Sequence, residues 1–238
     1  KDGEFSDASA CGNETASGHF MYRQFMMQSV CYWAKEYHID GFRFDLMGIH
    51  DTETMNQIRK KLNLLPNGEN ILMYGEPWAA SDPVMEEGLL PSVKKNISYL
   101  DEGIAMFSDD SRDTIKGSVF YEEIPGYVNG KKGLEEKMKS VVCAWCDGGH
   151  EFAPKSPKQI ITYASAHDNY TLWDKLAVTM QKKVDYSVKD AKLLKANKLA
   201  AAIIFTSKGT PFIQAGEEFA RTKYGDENSY KSSVQINK

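Results

Sequence analysis

The sequence lacks several features that would place it in a common class of protein. It has no run of 18 apolar residues, so no segment reads as a membrane-spanning helix. The formal net charge is only −4 over 238 residues and gives no basic footprint for nucleic acid. No glycine-rich phosphate loop opens a predicted helix, which argues against a nucleotide-binding sheet. We therefore expect neither nucleic acid nor a membrane as a partner.

Signals for location and for metal binding are also scarce. No signal peptide is visible, and because Lys1 is not a natural start the sequence leaves the choice between cytoplasm and secretion open. Cys143 and Cys146 have the spacing of a redox motif or of half a zinc site, but no second CxxC or His pair completes a metal set. No loop rich in Asp and Asn has a recognisable calcium-ligand spacing. We expect ordinary thiols, no metal and no cofactor, with a CxxC redox protein, a disulfide or a metal site as alternatives.

The chain does contain a regular alternation of short apolar runs with helical patterns. The predicted strands cover residues 41–47, 71–74, 104–107, 159–165 and 210–215. The predicted helices cover residues 20–38, a segment that begins after the N-cap Asp51, and residues 134–145, 170–180 and 188–207. Strands alternating with helices predict an α/β fold with a parallel sheet and helical crossovers.

The charged residues of interest lie where the apolar runs end. Arg43 and Asp45 are two apart in the run GFRFDLMG, and period-two alternation places them on one face of a strand, opposite the phenylalanines. Glu76 ends the second run, and His167 and Asp168 follow a later one. In a (β/α) barrel the carboxyl ends of the strands carry the active site, and an open α/β sheet also binds its ligand there.

These residue types match the requirements of glycosidic-bond cleavage. The retaining mechanism needs one carboxylate to attack the anomeric carbon and a second carboxyl to protonate the leaving oxygen and then activate water. Asp45 beside Arg43 fits the ionised nucleophile, because a guanidinium favours the charged form. Glu76 beside Trp78 fits the acid, because an apolar wall favours the protonated form. Asp168 fits a third group that binds sugar hydroxyls.

Each signal alone has an ordinary structural explanation. Arg-x-Asp on a strand is usually a salt bridge, Glu-Pro-Trp is usually a strand-ending turn, and His-Asp-Asn is usually a helix cap. Trp78 is either a core residue or a stacking platform for a sugar ring. Their occurrence together and in order, each at the end of an apolar run, favours a glycoside-cleaving site.

These motifs resemble conserved regions of the α-amylase superfamily of glycoside hydrolases. GFRFD is similar to its second conserved region, GEPW to its third and AHDN to its fourth. GFRFDLMG, YGEPW, GNETAS and QAGEEF together resemble a type I pullulanase, and the resemblance extends from about Cys11 to Tyr230. The segment 228–230 resembles a family loop that follows the last strand, and we assign it no role.

The resemblance implies an activity and a role for each site residue. The implied reaction is retaining hydrolysis of α-1,6 branch linkages in pullulan, branched dextrins or glycogen, which is starch debranching. The implied catalytic residues are the nucleophile Asp45, the acid/base Glu76 and the transition-state stabiliser Asp168. The implied substrate-binding residues are Arg43 and His167 near the cleaved bond and Trp78 stacked on the sugar.

The resemblance also implies that residues 1–238 form one partial catalytic domain. The five strands correspond to strands four to eight of a (β/α)8 TIM barrel, and the first conserved region, the YNWGYDP signature and accessory domains have no counterpart here. Such an open sheet would expose edges and an apolar face. We expect self-association or association with the N-terminal part of a larger enzyme, and little hydrolysis by this chain alone.

Two other interpretations remain open at the level of the sequence. One is another enzyme of the superfamily, either a hydrolase of isoamylase or glycogen-debranching type or a transglycosylase. A hydrolase transfers the sugar to water and a transglycosylase transfers it to another sugar, so the acceptor distinguishes them. The other is a noncatalytic protein that binds glucans without cleaving them.

Overall fold

The computed structural model describes residue 3 and residues 5–237, and its fold is α/β, as predicted. The α-helices in this part of the chain are α1 (Phe20–Tyr37), α2 (Thr52–Leu62), α3 (Asp109–Lys116), α4 (Glu135–Val142), α5 (Leu172–Met180) and α6 (Ala191–Thr206). The strands are β1 (Gly41–Phe44), β2 (Leu72–Gly75), β3 (Ala105–Phe107), β4 (Ile160–Thr162) and β5 (Thr210–Pro211). None of the described helices has the length and apolar character needed to cross a membrane.

The strands form a five-stranded sheet in the order β1-β2-β3-β4-β5. The β1–β2, β2–β3 and β4–β5 pairs are parallel. The chain divides into two compact units. The first unit comprises residues 1–107 and 148–160, and the second comprises residues 108–147 and 161–238. Sheet order following chain order is the pattern of successive β/α units.

The first unit is organised around α2, whose start was predicted correctly. Asp51 is the N-cap, and its carboxylate accepts from the Thr54 N–H at 2.7 Å and from the Ser17 hydroxyl at 2.6 Å. The apolar face of α2 is fully buried through Met55, Ile58 and Leu62. The same carboxylate therefore caps α2 and ties the loop before α1 to it.

The second unit buries α5 and one face of α6. Trp173, Leu176 and Ala177 of α5 are almost fully buried, and Ala196, Ala200 and Ile204 form the buried face of α6. Lys175 is also buried, and its ammonium donates to the main-chain oxygens of Ser118, Tyr121 and Glu122 at 2.7, 2.8 and 2.7 Å. Three carbonyl dipoles thus compensate for removing this charge from water.

Several predicted elements are shorter than expected. The strand predicted over residues 41–47 ends at Phe44, because Leu46 adopts a left-handed conformation (φ 43°) and a 3₁₀ turn follows at Met47–Ile49. The helix predicted over residues 134–145 ends at Val142, because Ala144 and Trp145 have positive φ. The strands predicted over residues 159–165 and 210–215 are shorter in the structure, where they correspond to β4 (Ile160–Thr162) and β5 (Thr210–Pro211).

The helix α3 was not predicted. Its sequence DDSRDTIK places the charged side chains of Arg112 and Lys116 at buried positions, so the apolar periodicity that identifies a helix is missing. Ser108 caps it by accepting from the Ser111 N–H at 3.1 Å.

Candidate active site

The first cluster consists of Arg43, Asp45 and Glu76 and lies within the first unit. Arg43 is on β1, Asp45 is in the turn that follows β1, and Glu76 comes directly after β2. The parallel register pairs Phe44 with Gly75, so the carboxyl ends of these two strands lie side by side. Adjacent strand ends therefore place the three charged side chains together. The predicted proximity of Arg43 and Asp45 is confirmed, but Asp45 lies beyond the end of β1 and not on the same strand face as Arg43.

Arg43 contacts both carboxylates of the first cluster. Its Nη2 donates to Glu76 Oε1 at 2.6 Å, and its Nη1 donates to Asp45. The second oxygen of Glu76 accepts from the Leu46 N–H at 2.7 Å. Glu76 is only 5% exposed, whereas the Asp45 side chain is 66% exposed. One oxygen of Asp45 lies within 4.8 Å of one oxygen of Glu76. The guanidinium charge offsets the repulsion between these two neighbouring carboxylates.

Close backbone contacts fix the segments that carry the first cluster. A Cβ on Gly75 would lie 2.6 Å from Met47 Cβ, and a Cβ on Gly48 would lie 2.4 Å from the Trp78 carbonyl oxygen. The Gly48 N–H also donates to the Glu76 carbonyl at 3.0 Å. Glycine is required at both positions, because a side chain would separate the turn after β1 from the segment after β2.

Trp78 is half-buried and borders a shallow depression that is largely open to solvent. The other lining residues are Pro77, Ala79, Ser81, Asp82, Pro83 and Val93. An indole beside a depression of this kind offers an apolar face to a flat ligand, and the neighbouring hydroxyl and carboxylate supply polar partners. The arrangement is compatible with the stacking function that the resemblance implied for Trp78.

The second cluster consists of His167 and Asp168 and lies within the second unit. Both residues are in the loop between β4 and α5, and their side chains are 43% and 49% exposed. His167 Nε2 lies 3.5 Å from Asp168 Oδ2, and the His167 ring meets the Tyr230 ring edge-on with 6.4 Å between centroids. The next residue, Asn169, has a left-handed backbone (φ 62°).

Several contacts of these clusters were not anticipated from the sequence. The hydrogen bond from the Leu46 N–H to Glu76 comes from a left-handed residue inside an apolar run, and nothing in the run predicts that conformation. The Phe107 ring lies 5.6 Å from the Arg43 guanidinium carbon, a cation–π distance. Tyr230 falls in the segment to which no role was assigned. Only its family resemblance singled that segment out.

The cysteines were considered above as a possible CxxC redox motif. All four are free thiols, and Cys143 is half-buried whereas Cys146 is exposed. Desolvation of the Cys146 thiol, with a smaller contribution from Asp147, raises its pKa. A raised pKa lowers the thiolate fraction on which thiol exchange depends, which disfavours the CxxC redox alternative.

The carboxyl ends of parallel strands carry the active site in (β/α) barrels, and a pair of carboxyl groups is what glycoside hydrolases use there. No family model matches the chain. It is 37% identical over 234 residues to a pullulanase of Bacillus subtilis, covering 98% of this chain and 31% of that protein.

Solved structures give the same result. A variant of the Paenibacillus barengoltzii pullulanase complexed with maltotriose matches with a TM-score of 0.89 and 40% identity, covering 99% of this chain and 36% of the other. The Anoxybacillus sp. pullulanase complexed with maltotetraose matches with a TM-score of 0.88 and 37% identity, covering 100% and 33%.

The chain is a homologue of one part of the type I pullulanases and has the fold of a partial (β/α) barrel. It spans about a third of the length of these relatives.

Proposed function

We propose that this chain supplies part of an active site for retaining hydrolysis of α-1,6-glucosidic branch linkages in α-glucans. The observation that carries the proposal is the first cluster, in which Arg43 joins Asp45 and Glu76 at the ends of neighbouring strands. Retaining enzymes keep their two carboxyl groups roughly 5–5.5 Å apart. The approach of the Asp45 and Glu76 oxygens to within 4.8 Å is compatible with that separation.

In this mechanism Asp45 attacks the anomeric carbon and Glu76 protonates the departing oxygen. Asp45 is the more exposed of the two, which leaves it accessible to a sugar. Glu76 then accepts a proton from water, and that water releases the sugar from Asp45. Arg43 remains in contact with both groups, so its charge compensates for the carboxylate that is ionised at each step.

The other candidate residues act on the substrate and do not form bonds with it. Asp168 binds sugar hydroxyls and favours the distorted ring of the transition state, and His167 binds beside it. Trp78 stacks on a sugar through its indole face. Their half-buried or half-exposed side chains support these roles.

The proposed substrate is a branched α-glucan such as pullulan, a branched dextrin or glycogen. The pullulanases of Paenibacillus barengoltzii and Anoxybacillus sp. have been solved with maltotriose and maltotetraose. The chain is also 24% identical to an isoamylase of Arabidopsis thaliana, over 96% of its own length and 33% of that protein. An isoamylase-type debranching enzyme is therefore the second candidate, and product analysis on pullulan and glycogen separates the two.

We also propose that residues 1–238 are one partial catalytic domain that associates with a further β/α segment or with a second copy. The strand β1 is at one end of the strand order, and an edge strand offers unpaired main-chain groups to another strand. Several aromatic residues of the adjacent α1 are more than half exposed, namely Phe20, Phe25, Tyr32 and Tyr37. A compact monomer in sedimentation analysis would contradict this association.

The test is oligosaccharide release from pullulan by this chain, alone and mixed with the part of a related pullulanase that precedes the matched region. We expect maltotriose from the mixture and little or none from the chain alone. Asp45→Asn and Glu76→Gln should each abolish release from the mixture, because each removes a group that forms or breaks a bond. Glu102→Gln, which changes an exposed glutamate in the same unit, is the matched control.

Each other outcome has a definite meaning. Maltotriose from the chain alone would refute the partial-domain proposal and keep the activity. No product from a demonstrably assembled mixture, with glucan binding retained, would replace hydrolysis by a binding role. Product release that survives Asp45→Asn would refute the assigned nucleophile.

A further inference from the structure

The loop that carries the second cluster is closed at its base by one buried hydroxyl. Ser165 precedes the loop and is 1% exposed, and its Oγ accepts from the Leu172 N–H at 3.0 Å, where α5 begins. Residues 166–171 therefore form a loop whose two ends are tied together by a single side chain. Within it, Asn169 has a left-handed backbone (φ 62°), a conformation that few non-glycine residues other than Asn and Asp adopt.

A buried carboxyl lies directly behind this hydroxyl. Ser165 Oγ donates to Glu217 Oε2 at 2.9 Å, and Glu217 is 6% exposed. The Glu217 main-chain oxygen accepts from Asn197 on α6 at 3.0 Å, so the glutamate is fastened to a helix. Its other oxygen, Oε1, has no hydrogen-bond partner in the described part of the chain. Glu217 Oε2 also accepts from the Gln214 N–H at 3.4 Å, so the Ser165 hydroxyl makes the shorter of the two hydrogen bonds to this oxygen.

A buried ammonium holds the same loop from its other end. Lys116, the last residue of α3, is 1% exposed, and its Nζ donates to the Tyr170 carbonyl at 3.0 Å. Burial raises the pKa of Glu217 and lowers the pKa of Lys116 to about 7, and each charge partly offsets the shift of the other. An apolar pair of similar size would usually be no less stable at such a site. This pair instead provides two directional hydrogen bonds, one between Ser165 and Glu217 and one from Lys116 to the Tyr170 carbonyl.

We propose that Glu217 and Lys116 are positioning residues that hold the His167–Asp168 loop in its observed conformation. Glu217 acts through Ser165, and Lys116 acts through the Tyr170 carbonyl. The link to sugar binding rests on the proposed function, but the hold on the loop does not. Neither residue needs to touch a ligand.

The test compares variants of this chain by amide hydrogen exchange of residues 166–172 without substrate. Glu217→Leu removes the acceptor, Ser165→Ala removes the bridge, and Glu217→Gln keeps an acceptor at the same place. Glu218→Gln is the matched control, because it makes the same change in the neighbouring exposed glutamate. We expect about tenfold faster exchange of the loop in Glu217→Leu and Ser165→Ala, which corresponds to about one net hydrogen bond. Glu217→Gln should restore most of the protection, and Glu218→Gln should change nothing.

A double-mutant cycle tests whether the two buried groups act together. Lys116→Met should also speed exchange of the loop, and Lys116→Met with Glu217→Gln should fall short of the sum of the single effects, because the two charges compensate for each other. Strictly additive effects on exchange would show that Glu217 and Lys116 hold the loop independently. That result would overturn the proposal that the two groups act together.

Two results would overturn the positioning proposal itself. One is Glu217→Leu matching the Glu218→Gln control. The other is exchange that rises equally across the whole second unit, which is the signature of general destabilisation. If Glu217→Leu does not unfold cooperatively, Ser165→Ala decides by the same criteria.

Calorimetric titration of the same variants with maltotriose separates this proposal from the proposed function. Both proposals are supported if maltotriose binds more weakly to the variants whose loop exchanges faster and if Glu217→Gln restores the affinity. A looser loop with unchanged maltotriose affinity keeps the positioning role and refutes the contribution of His167 and Asp168 to sugar binding.

Discussion

The two clusters of candidate residues are ordered by different means. In the first, the charged groups fix one another, because Arg43 contacts both Asp45 and Glu76. In the second, His167 and Asp168 are half-exposed, and the loop that carries them is tied at its ends to buried side chains. Substitutions in the first cluster should therefore alter stability and chemistry together. Substitutions behind the second should alter the loop first.

The largest expected effect is from removing the cation of the first cluster. Arg43→Met removes a charged partner of the buried carboxylate of Glu76, and we expect a loss of about 3 kcal/mol in the free energy of unfolding. Urea denaturation measures this. The double variant Arg43→Met with Glu76→Gln should recover a large part of the loss, because no buried charge remains. A single variant as stable as the wild type would show that the first cluster does not depend on its internal charges.

A pH-dependent effect should distinguish the buried groups behind the second cluster. The pKa of Lys116 is lowered to about 7 by burial and by the charges of Arg112 and Lys175, against the opposing charges of Glu217 and Asp113. The unfolded chain then binds more protons than the folded chain between pH 7 and about 10.5, so this residue makes stability rise with pH in that window. Between pH 7 and pH 9, the wild type should gain about 2 kcal/mol relative to Lys116→Met.

Chemical denaturation at a series of pH values measures this difference. Lys132→Met, at an exposed position of the same unit, is the control and should follow the wild-type profile. Parallel profiles for Lys116→Met and the wild type would mean that Lys116 is not a buried titrating group.

A smaller effect should follow from filling the contact behind Trp78. Gly48→Ala places a methyl group 2.4 Å from the Trp78 carbonyl oxygen, so the backbone must shift. We expect a loss of about 1–3 kcal/mol in stability and weaker maltotriose binding. Ala80→Ser, an exposed change in the same loop, should leave both unaltered. Unchanged maltotriose binding would show that the position of Trp78 does not depend on the turn after β1.

The smallest expected effect concerns the aromatic contact of the second cluster. Tyr230→Leu removes the edge-on ring pair with His167, which contributes about 0.5–1.5 kcal/mol at most and less at an exposed position. The ring resonances of His167 in NMR spectra should shift, while the urea midpoint should stay nearly constant. A midpoint that falls as far as in Arg43→Met would show that both clusters are stabilised in the same way.

The fold and the proximity of Asp45 and Glu76 were predictable because their signals are local. The alternation of apolar runs predicted the parallel sheet, and charged residues at the ends of those runs predicted Asp45 and Glu76 as neighbours. The cap at Asp51 was predictable for the same reason, since the capping side chain and its partner are three residues apart.

The remaining features depend on long-range contacts and unusual backbone conformations. α3 escaped prediction because its buried positions include Arg112 and Lys116, which sequence patterns assign to the surface. The bond between Ser165 and Glu217 spans 52 residues and has no periodic signal. The Leu46 N–H donates to Glu76 from a bulky apolar residue with positive φ, a backbone conformation that local preference disfavours.

The ammonium of Lys175 has the surroundings that many proteins give to a bound cation, since three carbonyl oxygens converge on it. A tethered cation of this kind cannot dissociate on dilution or be removed by a chelator. Its charge can be lost by deprotonation, because burial lowers the pKa of Lys175 to about 8. The loop at residues 118–122 is thus held by a cation that is covalently part of the chain, and its charge depends on pH.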